Sequence, residues 1–135
     1  MKILTAVCAL AIALSLVGTA YAHHSAAGVD QSKSVTVEGV VKTFKWANPH
    51  SWIEMDVPNA KGENVTWNVE MTAPGILAKA GWKSTVLKPG DKVTVVVRPM
   101  LNGDPGGLFV SVTLPDGRTL TERAAPTPPT PAAQN

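Results

Sequence analysis

The chain has 135 residues, 44% hydrophobic and 16% charged, with a formal net charge of +2. That length and balance suit one modest hydrophobic core, and so small a charge excludes the broad basic surface that a nucleic-acid partner demands. A single cysteine, Cys8, excludes an intramolecular disulfide and a multi-thiolate metal site.

The first 22 residues read as a cleavable export signal. Lys2 gives a short positive start, Ile3 to Val17 is almost entirely apolar, and Ala20-Tyr21-Ala22 is a small-x-small cleavage sequence. The apolar run falls short of the roughly 20 residues a spanning helix needs, and Val7 is too bulky for a lipoprotein signal at Cys8. Cleavage after Ala22 removes Cys8 and exposes His23 as the new N-terminus. The expected location is the periplasm, with no membrane insertion after cleavage. A polar arm over 23–34 leads into a β domain over 35–123. A Pro/Ala/Thr tail over 124–135 is expected to stay disordered, because it holds nothing to bury.

Within the domain, Val35 to Trp46 is rich in β-branched residues, with Gly39 in the middle, where a strand bulges or bends sharply. Ala47-Asn48-Pro49-His50 breaks the run. Ser51 to Val57 and Asn64 to Met71 both alternate, the first placing Ile53, Met55 and Val57 inward, the second Val65, Trp67, Val69 and Met71. The Pro58–Gly62 turn makes the two an antiparallel hairpin. Pro74 to Trp82 reads as a short helix, with Pro at its first position, Thr72 or Ala73 ahead as a cap, and Gly81 at its end. Lys92 to Arg98 and Leu108 to Leu114 are further strands, separated by the Pro99–Gly107 loop. Pro115-Asp116-Gly117 turns into a last short strand, Arg118 to Glu122. Three strands, a helix and two strands predict a mainly β fold: a small five-stranded OB-like barrel with one short helix between strands 3 and 4. A small sandwich or an open meander is the competing arrangement.

Three histidines stand where chemistry is expected. His23 and His24 open the processed chain, and His50 lies in the loop between strands 1 and 2, which in an OB barrel borders the ligand-binding edge. An N-terminal histidine chelates a metal through its amine and its imidazole together, since the amine titrates near ~7.8 and metal attraction deprotonates it at neutral pH. A second imidazole completes a nitrogen-rich set suited to copper. The leading expectation is therefore a periplasmic binding protein holding copper through His23 and His50, with His24 beside them. Glu54, Asp56 or Glu70 supplies a carboxylate if the outer strand face curls toward this edge. Met55 and Met71 read as core, not as thioether ligands.

The alternative is a metal-free module binding a saccharide, a peptide or an envelope protein through Trp46, Asn48, Trp52, Glu54 and Glu70. Trp46 and Trp52 flank the His50 loop, either as a hydrophobic clasp or as a stacking surface. Paired carboxylates on this face read as a solvated surface. With no Gly-x-Ser-x-Gly, phosphate loop or HExxH, binding is expected rather than catalysis; a copper-dependent oxidase on the same ligands lacks an evident substrate groove.

His23-His24-Ser25, the Val-Glu-Gly-Val-Val run from Val37, Trp46-Ala47-Asn48-Pro49-His50-Ser51-Trp52, Gly81-Trp82 and Leu87 to Val93 resemble a family of small exported bacterial proteins labelled as a domain of unknown function. The resemblance extends through Trp67 to Met71 and Ser111 to Leu120. It implies export and a compact β domain, and brings no catalytic residues with it.

Overall fold

The computed structural model describes residues 27–123. Six strands and one helix follow in order: β1 (Val35–Lys45), β2 (Trp52–Pro58), β3 (Asn64–Glu70), α1 (Pro74–Lys79), β4 (Lys92–Pro99), β5 (Gly106–Thr113) and β6 (Thr119–Thr121). β1 pairs with β2, β2 with β3, β3 with β5, β5 with β4, and β4 with β1. All are antiparallel except β3–β5. The circuit closes into the five-stranded barrel the sequence predicts, with the single short helix between strands 3 and 4, and β6 is added on the outside of β5.

One long strand serves both halves of the barrel. Val35 to Val40 pairs with β4, whereas Val40 to Lys45 pairs with β2. The change of partner occurs at Val40, directly after Gly39, the residue the sequence marks for a bend. A Cβ at this position would lie 2.3 Å from the Asp56 carbonyl oxygen and 2.8 Å from Met55 Cε. The bulge itself comes just after, between Val41 and Thr43.

Alternation then fills the interior. Val41, Ile53, Met55, Val69, Val95 and Val112 are all fully or almost fully buried, and Met71 joins them. Pro74 starts α1 and Ala73 precedes it without a side-chain cap. The helix contributes Leu77 to the core. Trp82 follows it, stacked edge-on to Phe109 at 5.5 Å between ring centroids, with its indole N–H donating to the Thr121 carbonyl at 2.8 Å. That bond ties the helix end to β6.

The structure departs from the sequence reading at the start of β5. Gly106 and Gly107 read as loop, yet they form the parallel seam with β3, Asn68 opposite Gly106 and Val69 opposite Gly107. A Cβ on Gly106 would sit 2.3 Å from the Asn68 carbonyl oxygen, and one on Gly107 2.0 Å from that of Arg98. Only glycine lets three backbones approach this closely. The first described residues also join the barrel: Val29 bridges Met100, the Leu101 amide donates to the Gly28 carbonyl at 2.9 Å, and the Asp30 amide to that of Pro99 at 2.9 Å. No helix among the described residues is long and apolar enough to cross a membrane.

Candidate functional site

His50 sits at the end of the β1–β2 loop, past the cis Asn48–Pro49 peptide. The backbone beside it is fixed, because Ser51 extends the β2–β3 ladder: its amide donates to the Thr72 carbonyl at 3.1 Å and its carbonyl accepts from the Met71 amide at 2.9 Å. His50 Nδ1 is hydrogen-bonded to Glu70 Oε1 at the end of β3. The imidazole side chain is 41% exposed while the Glu70 side chain is 14% exposed. A sheltered carboxylate therefore holds one face of a solvent-accessible ring. In the neutral ring, a proton on Nδ1 toward Glu70 leaves Nε2 as the acceptor.

Glu70 is the carboxylate the curled-face reading asks for. Glu54 and Asp56 are engaged elsewhere, with Lys42 Nζ at 3.2 Å from Glu54 and 3.7 Å from Asp56. The Glu54 hydrogen bond, then the Asp56 charge, raises the Lys42 pKa. Asp56 also accepts from the Thr66 hydroxyl at 2.9 Å. The Ser51 hydroxyl, next to His50 in the chain, is fully buried and has no hydrogen-bond partner among the described residues.

Two residues remote in sequence complete the corner. Glu122, 50 positions beyond Thr72, accepts the Thr72 amide at 2.7 Å. Its pKa is raised, chiefly because burial disfavours the carboxylate, with the Thr72 hydrogen bond and then the Arg123 and His50 charges opposing. Arg98, at the end of β4, donates to the Gln31 carbonyl of the arm. His50, Glu70, Glu122, Arg98 and Gln31 line one cavity of about 250 Å³. Nothing in the sequence marks Glu122 or Arg98, since both ends are brought here by barrel closure and not by spacing.

The tryptophans divide. Trp46 packs on the core and meets Phe44 edge-on, at 5.8 Å and 68°, so it acts as the clasp. Trp52 points outward from β2 and is 36% exposed. Trp67 is partly buried against the core. Asn48 is exposed in the loop. Met55 and Met71 are core residues. His23 and His24, the export signal and the tail lie outside the described residues. Among the described residues, no group of three or more His, Cys, Asp or Glu is arranged to hold a metal ion.

A family model described as a family of unknown function (DUF6152) matches residues 11–110. No curated protein matches the chain, and no solved structure does. The match spans most of the sequence, and the chain belongs to this family.

Proposed function

From that membership as premise, we propose that the protein is an exported binding module that holds a copper ion at the His50 corner of its barrel. The observation that carries this reading is the His50–Glu70 pair. Metal-binding histidines commonly give their second ring nitrogen to a carboxylate, which fixes tautomer and ring orientation and raises the basicity of the ligating nitrogen. Here Glu70 performs that task on an accessible ring.

One imidazole binds copper weakly, so the remaining nitrogens must come from the start of the processed chain. Two facts favour His23 as their source. The arm is pinned beside this corner through Gly28, Asp30 and Gln31. The five peptide links from His23 to the pinned Gly28 can span up to ~17 Å, and Gly28 lines a cleft together with Glu70, the partner of His50. The terminal amine and ring of His23 then chelate the ion with His50 Nε2, and His24 lies beside them. No chemistry is assigned to the ion beyond being held; the role is carriage or protection in the periplasm.

The test is a Cu(II) titration, by calorimetry and electron paramagnetic resonance, of protein processed to start at His23. One equivalent should bind with a nitrogen-rich spectrum, weaken strongly when a single residue precedes His23, and weaken again in His50→Ala. Equal affinity of the native and extended forms removes the amine from the ligand set and the proposal with it.

A further inference from the structure

Trp52 is the one tryptophan turned to solvent among the described residues. The outer face of β1–β2–β3 around it has a definite chemistry. Register places Lys45 and Glu70 on either side of Trp52, and Thr43 and Asn68 on either side of Glu54. On one side of the indole lies a cleft of about 250 Å³, lined by Thr43, Lys45, Trp52, Glu54 and Asn68. On the other lies a cleft of about 290 Å³, where Trp52 and Asn68 face Met100 and Asp104 of the β4–β5 loop. Trp52 and Asn68 border both clefts.

We propose that this face is a saccharide-binding site for a neutral glycan of about two rings, one ring on each side of Trp52, hydrogen-bonded in both clefts by Asn68. The indole offers a flat apolar face for the C–H side of a pyranose ring. The Asn68 amide both donates and accepts, Glu54 accepts, and Thr43 and Lys45 donate, the mixture that vicinal hydroxyls require. Charge selects among flat ligands. Glu54, Glu70 and Asp104 are set against Lys45 and against Lys42, which pairs with Glu54, a near balance that offers no surplus of cations to hold nucleotides or sulfated or uronic glycans. The two sites adjoin at Glu70, which lines the second cleft and holds His50; Trp52 and Asn68 belong to this site alone, so their variants test it without touching the copper ligands.

The experiment titrates the exported full chain with cellobiose, maltose and N,N′-diacetylchitobiose, following the backbone amide resonances of Ile53, Glu54 and Val69, which every variant retains, together with the Trp52 indole N–H of the parent. At least one sugar should shift these resonances saturably in the millimolar range. The affinity should fall at least ~10-fold in Trp52→Ala, where the stacking surface is lost, and fall in Asn68→Ala, while Trp52→Phe keeps most of it. Trp52 is partly exposed, so the variants should remain folded, as unchanged amide spectra will show. No saturable shift with any of the three sugars at tens of millimolar, or a shift that persists in Trp52→Ala, overturns the proposal.

Discussion

Replacing Gly39 by alanine tests whether the change of partner along β1 depends on an absent side chain. The added methyl would stand 2.3 Å from the Asp56 carbonyl oxygen and 2.8 Å from Met55 Cε. Met55 is fully buried, and its methyl end fills the space beside Gly39. That methyl ends a flexible side chain and can shift, so the rigid obstacle is the Asp56 backbone carbonyl. Asp56 is held by its pairing with Val40, so relief requires β1 and β2 to separate by well over half an ångström where β1 leaves β4. Overpacking of a close-packed interior costs about 1–3 kcal/mol, and weakening one ladder hydrogen bond adds about 1 kcal/mol. The expected loss is about 2–4 kcal/mol, or a fall in melting temperature of roughly 10–25 °C for a domain of this size. Denaturant unfolding followed by circular dichroism measures it. Gly75→Ala is the matched control, because a Cβ there meets nothing within 4 Å and alanine suits the helix better by about 0.5–1 kcal/mol. A Gly39→Ala protein within about 0.5 kcal/mol of the parent would refute the close-approach argument.

Glu70→Gln keeps the shape of the His50 partner but loses its charge; if the pair orients a copper ligand, Cu(II) affinity should drop about 10–100-fold, read in the same calorimetric titration. Glu122 gives a pH test with a definite sign. Its folded pKa is raised, mainly by burial, so the native state holds its proton more tightly than the unfolded chain does. Stability should therefore be greatest below the ordinary glutamate range and decline as pH rises through the window between that range and the raised value. Glu122→Gln should flatten this part of the stability–pH curve. A decline that persists unchanged in the variant would assign it to other groups.

Period-two alternation made the barrel legible from sequence, because each inward residue of β2, from Ile53 to Val57, has a matching apolar residue on β3. The order of elements gave the topology for the same reason: three strands, a helix and two strands have few ways to bury one face. The Gly106–Gly107 seam was not legible. A pair of glycines beside Pro105 reads as a turn, and only the approach of β3 and β4 reveals why they are strand. The site divides similarly. His50 and Glu70 were separately visible as a loop histidine and an outward carboxylate, but their contact depends on how the β1–β2 loop lies over the end of β3. Glu122 and Arg98 carry no local signal at all. The roles of Trp46 and Trp52 were left open by sequence because both flank the same loop; the structure separates them by burial.

The β3–β5 seam has only three residue pairs, Asn68 with Gly106, Val69 with Gly107 and Glu70 with Leu108, against seven for β2–β3. A ring of strands opens at its shortest joint, so this is where local breathing should begin. Glu70 belongs to that joint and also grips His50. Whatever seizes the imidazole thereby acts as a latch on the barrel, and occupancy at the rim becomes resistance to unzipping in the wall.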